Sequence, residues 1–355
     1  MDGRGAAAAA GARLSRRERL TLVAALLGLT GCPGESGPGP GAAREVVVYC
    51  ALDRGFAQPL LEEFQRQSGI TVLPKWDAEA TKTTGLVEAL RAERARPRCD
   101  VFWNNEVGQT VVLAADGLLQ PYESPSAAGL PAEARDPQGR WAGFAARARV
   151  LIVNRRLVPD AERPRSMRDL IDPRWKGRCG VANPLFGTTA THVAALCARD
   201  EAAARAWLEG LVANEVVVCA GNAAVKDRVA AGELAFGLTD TDDLNLALLD
   251  GSPVGCVFPD QEPGGAGALL IPNSLALMAG APHADEGRAL IDWLLRPEVE
   301  ARLAASRSAQ VPLRAGVPRP AWIPADLRPF PVDWSAVGRA FPAAREQVRT
   351  ILLRE

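Results

Sequence analysis

The segment Thr239-Asp-Thr-Asp-Asp243 carries three carboxylates in four positions, directly after a β-rich run at residues 234–238. Such oxygens are hard ligands suited to Fe³⁺, Ca²⁺, Mg²⁺ or Mn²⁺. They suit an organic cation equally, and Asp240, Asp242 and Asp243 ahead of residues 244–249 also read as ordinary helix-start acids. Two more acids, Asp53 and Glu106, each follow a β-rich run, so all five would meet if those strand ends share a cleft. Asp53 reads equally as a helix N-cap with Arg54 solvated beside it, and Glu106 as a first-turn carboxylate favoured by the helix dipole. Arg147 and Arg149 flank Ala148 at the period of two that places side chains on one face of a strand. Their guanidinium forks suit carbonate, phosphate or carboxylate, or an ion pair between lobes. Gly187-Thr188-Thr189 opens a helical stretch, where backbone N–H groups and two hydroxyls make an anion cradle or plain caps. Asn222, just past Gly221, holds a comparable loop position.

These residues depend on an alternating frame. β-Rich runs at 44–50, 70–74 and 99–103 alternate with helical spacings at 53–68, 84–95 and 107–116. That βαβαβ order predicts a parallel sheet with ligand chemistry at the strand ends. A strand at 150–154 and a short helix at 166–171 lead to a second unit. It has a strand at 180–182, helices at 188–199 and 201–212, a strand at 215–219, a helix at 223–231 and a strand at 234–238. Residues 268–278 return to β character, and 284–305 read as one long helix. A proline-rich wrap and a final helix at 336–353 close the chain. The pattern predicts two α/β lobes that the chain crosses more than once: 45–146 with 265–315, and 147–264, with 316–355 as a C-terminal wrap and helix.

The N-terminus has its own grammar. Arg13, Arg16, Arg17 and Arg19 precede an apolar run at 20–29, and Leu29-Thr30-Gly31-Cys32 looks like a bacterial lipobox. The expectation is a signal peptide at 1–31, a diacylated Cys32, and a Gly/Pro-rich tether at 32–44 holding an extracytoplasmic body on a membrane. A net charge of −1 gives no basic field for nucleic acid, and 48% hydrophobic with 23% charged residues is a globular balance. Beyond Cys32, six cysteines remain (Cys50, Cys99, Cys179, Cys197, Cys219 and Cys256). An even number permits disulfides outside the cytoplasm, with no pairing readable from spacing. With only His192 and His283, no CxxC pair, no G-x-S-x-G and no H-E-x-x-H, zinc and hydrolase chemistry lack their usual residues.

Several segments, in order, resemble the ferric-ion-binding class of periplasmic solute-binding proteins. They are Val48-Tyr-Cys-Ala-Leu-Asp-Arg54, Cys99-Asp-Val-Phe-Trp-Asn-Asn-Glu106, Gly117-Leu-Leu-Gln-Pro-Tyr122 and Trp141-Ala-Gly-Phe-Ala-Ala-Arg-Ala-Arg-Val-Leu-Ile-Val-Asn154. Pro184-Leu-Phe-Gly-Thr-Thr-Ala-Thr191, Gly232-Glu-Leu-Ala-Phe-Gly-Leu238 and Ile271-Pro-Asn-Ser-Leu-Ala-Leu277 continue the series. The resemblance implies a type II periplasmic binding protein, two α/β lobes hinged over a ligand cleft, with no chemistry done on the ligand. It implies a monomeric receptor that needs no cofactor and serves the permease and ATPase of an ABC importer. By resemblance, the turn at Asp53 and Arg54 contributes a metal ligand or anion contact, Glu106 aligns with a glutamate ligand, and Arg147 and Arg149 contact an accompanying anion. The iron-binding relatives carry two adjacent tyrosines where this chain has Thr241 and Asp242; its tyrosines, Tyr49 and Tyr122, lie elsewhere. The departure removes phenolate ligands and leaves Glu106, Asp240 and Asp242 as the carboxylates for Fe(III) or another hard cation. The same receptor with Arg147, Arg149, Thr188 and Thr189 as its specificity site would take a small anion or zwitterion, such as a phosphonate or phosphate ester. A sensor subunit of the same fold is a third reading.

Overall fold

The structure, a computed structural model, describes residues 44–77 and 83–354; Cys32, the expected signal peptide and nearly all of the tether lie outside them. β1 (Glu45–Cys50), α1 (Arg54–Ser68), β2 (Thr71–Trp76), α2 (Thr84–Ala92), β3 (Val101–Asn104) and α3 (Val107–Ala115) follow one another, and β1 pairs in parallel with β2 and β3. Helix α1 buries Ala57, Leu60, Leu61 and Phe64, a three-to-four spacing that forms one face, and ends at Gly69, whose φ of 69° favours glycine. β4 (Leu119–Gln120) and β5 (Ala142–Asn154) come next.

The second unit contains β6 (Cys179–Ala182), α4 (Gly187–Arg199), α5 (Glu201–Ala213), β7 (Val217–Cys219), α6 (Asn222–Ala231), β8 (Phe236–Asp240), α7 (Thr241–Leu249) and β9 (Val254–Val257). β10 (Leu270–Met278), α8 (Ala284–Leu294), α9 (Pro297–Ala305) and α10 (Trp334–Gln347) complete the described chain. The strands run in the order β2-β1-β3-β10-β5-β8-β6-β7, with β4 on β10 and β9 on β5. β5 belongs to both halves. Its first part pairs antiparallel with β10, and from Arg149 onward it pairs with β8 and β9. A strand buried along its length has to be apolar on both faces, and apart from Arg147 and Arg149 the side chains between Phe144 and Val153 are alanine or aliphatic. The two arginines therefore stand where the strand passes from one sheet to the other. The register sets Arg149 directly across from Asp240.

Close packing of α6 on the second sheet depends on Gly237. A Cβ there would lie 2.4 Å from Val225 Cγ1 and 2.9 Å from the Gly180 carbonyl oxygen. Gly237→Ala is expected to cost about 1–3 kcal/mol by overpacking, read as a melting temperature lower by several degrees; an unchanged melting curve would show that α6 can move away freely.

Three expectations change. Residues 284–305 form two helices because Pro297, which has no N–H to continue α8, starts α9 instead. The last helix runs over Trp334–Gln347 and widens into a π turn over Val348–Leu353. The six cysteines of the described residues are all free thiols, five of them buried. They serve as small packing groups, and burial pushes Cys197 up to about 11 and Cys179 up to about 12. No helix among the described residues is long and apolar enough to cross a membrane.

Candidate ligand site

Helices α4, α6 and α7 start beside one cavity of about 190 Å³. Each carries unsatisfied N–H groups in its first turn. Their N-cap residues are Phe186, Gly221 and Asp240, and none makes a side-chain capping bond. Phenylalanine and glycine have no oxygen to offer. The Asp240 carboxylate is turned elsewhere, accepting from Arg149 Nη1 at 2.6 Å, Thr188 Oγ1 at 2.7 Å and Asn222 Nδ2 at 2.8 Å. The N-termini of α4 and α6, each with partial positive charge, thus converge without a carboxylate, whereas the first turn of α7 carries Asp242 and Asp243, and Asp242 accepts from the Asp243 N–H at 3.0 Å. Gly187, Thr188 and Thr189 line the cavity from α4, and Gly221, Asn222, Ala223 and Lys226 from α6. Asp242, Asp243 and Leu246 line it from α7, Arg147 from β5, and Asp53 and Asn105 from the ends of β1 and β3. The cavity therefore draws on both sheets.

Its charges are arranged in layers. Behind the lining, Arg149 is fully buried and bonds Asp240, Thr188, Thr189 and Asn222. Asp240 is just as buried; burial pushes its carboxyl up, but Arg149 and Arg147 outweigh this and hold it below the usual range. At the surface of the cavity Arg147 Nη1 lies 3.3 Å from Asp242 and 3.5 Å from Asp240, and Nη2 donates to the Asn105 carbonyl. Burial pushes the Arg147 guanidinium down, and the charges of Asp242, Asp240, Asp53 and Asp243 more than reverse that. Nε of Arg147 is buried with no hydrogen-bond partner among the described residues. His192, one turn into α4, is buried; burial first and the Arg149 charge second push it down to about 3, so it is neutral at physiological pH.

Six of the eleven expected contact residues line this cavity: Asp53, Arg147, Thr188, Thr189, Asn222 and Asp242. Five stand elsewhere. Arg54 is exposed on α1, bonded to Gln58 and set over the Trp76 ring. Glu106, fully buried, caps α3 through the Gln109 N–H and also accepts from Asn104 and Thr191. Its oxygens therefore face the start of α3 and Thr191 inside the protein, and it is not among the residues that line the cavity. Thr241 is buried, its hydroxyl accepting from the Ala148 N–H. Arg149 and Asp240 form the layer behind the cavity, so neither takes its expected ligand position. Asp53 occupies the N-cap position of α1 without making a capping bond. The lining residues that the sequence reading missed include Asn105, Asn183, Phe186 and Lys226. Lys226 was within reach, since it lies four positions after Asn222 on a helix and so on the same face.

Two α/β sheets sharing a crossing strand, with a small polar cavity drawn from both, define a type II periplasmic binding protein fold. Residues 60–329 match the bacterial extracellular solute-binding protein family, and the chain belongs to it. It is accordingly an extracytoplasmic solute-binding protein and not an enzyme. Iron uptake protein A1 of Synechocystis sp. is 28% identical over 79% of this chain and 78% of its own. A Salmonella typhimurium protein, provisionally named as a 2-aminoethylphosphonate-binding periplasmic protein, is also 28% identical, over 78% of this chain and 82% of its own. The crystal structure of iron-bound HitA from Pseudomonas aeruginosa superposes with a TM-score of 0.78 at 26% identity, covering 87% of this chain and 99% of HitA.

Proposed function

We propose that this protein is the receptor of an ABC importer for a small zwitterion that joins an oxyanion, such as a phosphonate or phosphate ester, to an amino group. The observation that carries the reading is the convergence of two helix N-termini free of side-chain caps and of first-turn acids, those of α4 and α6, on a cavity that also holds Arg147 and Lys226. Such an array suits an oxyanion. Asp53, Asp242 and Asp243 on the same cavity suit the cationic end. At about 190 Å³ the cavity is smaller than sites for drug-sized molecules, which favours a compact ligand. The Salmonella relative's name agrees with this chemistry. In this reading, 45–146 with 265–315 and 147–264 are the lobes that close on the ligand, the protein is a monomer handing it to a permease driven by an ATPase, and a diacylated Cys32 anchors it to the membrane.

A second reading, ferric iron or another hard cation held with a synergistic anion, rests on ligand oxygens of Asp240, Asp242 and Asp243 lying within 4.8 Å of one another. The names of the iron-binding relatives favour it. Against it, Arg149 and Arg147 already pair with Asp240, the most buried of the three carboxylates, and no tyrosine pair stands at 241–242.

Titration calorimetry separates the two, using protein lacking residues 1–32 that has been stripped with chelator. The expected outcome is metal-independent binding of 2-aminoethylphosphonate. In Asp242→Asn, aminophosphonate is expected to bind about tenfold more weakly and inorganic phosphate no more weakly than before, since a carboxylate facing the ammonium has gone. Ferric citrate binding that disappears in Asp242→Asn, with no response to either anion alone, would overturn the zwitterion reading in favour of the cation.

A further inference from the structure

Glu106 has a buried partner from the other sheet. It begins α3 directly after β3, on the first sheet, whereas Thr191 lies in the second turn of α4, which follows β6 of the second. Both side chains are fully buried, and the Thr191 hydroxyl donates to Glu106 Oε2. We propose that Glu106 is a positioning residue that ties α3 to α4 and so sets how the two sheets face each other around the cavity.

The packing around this bond is that of a tie. Gly108 in the first turn of α3 has no side chain; a Cβ there would lie 2.7 Å from Thr191 Oγ1 and 2.8 Å from Phe341 of α10. α10 packs along both α3 and α4, with Val337, Phe341 and Ala344 buried against them, so it covers the seam from outside. Each end of the bond is one step from the cavity. Asn105, next to Glu106, lines it and accepts from Arg147 through its carbonyl; Thr188, one turn before Thr191, lines it and donates to Asp240. A shift between α3 and α4 therefore moves both walls. The inference concerns the protein's own geometry and does not depend on which ligand it carries.

Because Glu106 also caps α3 through Gln109, replacing it would confuse two roles; Thr191 has only the tie to lose. Amide hydrogen exchange on the full chain, without ligand, provides the test. In Thr191→Val, exchange is expected to rise about tenfold or more along the length of α10, which packs on both α3 and α4, and at the start of α6, while Thr191→Ser keeps the wild-type pattern. Gly108→Ala, which keeps both the Glu106 and Thr191 side chains but forces a methyl between them and Phe341, is expected to raise exchange in the same segments and remains informative if Thr191→Val does not fold. Wild-type exchange in α10 and α6 for the folded variants, or faster exchange confined to the turn around residue 191, would overturn the proposal.

Discussion

Replacing Arg149 by methionine is expected to destabilise the folded protein by about 3–5 kcal/mol at neutral pH, the usual cost of removing one partner of a buried ion pair. Arg149 donates to Asp240 at 2.6 Å with both side chains fully buried. Methionine fills similar space, so the loss is that of charge and hydrogen bonds: Asp240 keeps Thr188, Asn222 and the more distant Arg147. The sign of the pH dependence follows from Asp240. In the wild type its folded pKa lies below the unfolded value, so its contribution is present above about pH 4 and is lost as the pH falls further. In the variant the carboxylate loses its main partner and its folded pKa rises, so the penalty is largest near neutrality and shrinks as acid protonates it. Denaturant midpoints measured from pH 7 down to pH 3.5 should therefore converge. A second substitution, Asp240→Asn, should restore part of the loss, because the uncompensated charge is then gone. A variant within 1 kcal/mol of wild type at pH 7 would mean that Asp240 finds another cation.

Reversing the charge at Lys226 is the stronger test of what the cavity binds. Lys226 lines it from the first turns of α6, beside Asn222, and its ammonium pairs with Asp227 at 2.6 Å, a residue with 68% of its side chain exposed. A partner so open to solvent holds the ammonium weakly, which leaves it available to an oxyanion at the α6 N-terminus. Lys226→Glu replaces a donor with a like charge facing the ligand, and a phosphonate probe is expected to bind on the order of a hundredfold more weakly or not at all. Thermal stability should change little, because the side chain is not part of the buried Arg149–Asp240 network. A hard-cation site responds in the opposite direction, since another carboxylate beside Asp242 and Asp243 would strengthen it. Calorimetry on the variant with phosphonate and ferric citrate thus gives opposite outcomes for the two readings.

Much of the frame was legible because it is local. The alternation of β-rich runs and helical spacing fixes the order of elements, and Gly187-Thr188-Thr189 marks a helix start that does open on the cavity. Even the break at Pro297, though passed over within 284–305, is a local signal that a proline at a first helical position supplies. The period of two likewise put Arg147 and Arg149 on one side of a strand, where both meet Asp240.

Only the tertiary structure decided what each charge is for. Asp240 and Asp242 read as ligands because nothing nearby in sequence opposes them; their partners, Arg149 and Arg147, lie 91 and 95 positions away. Strand register, which sets Arg149 opposite Asp240, depends on how β5 crosses between sheets and leaves no mark in either segment alone. Glu106 shows the same limit: at a strand end it looks like a ligand, but a helix 85 positions away brings Thr191 against it. Composition and periodicity determine which residues sit at strand and helix ends. Whether a carboxylate there meets solvent, a ligand or a buried cation depends on long-range packing, because a charge takes the nearest partner in space.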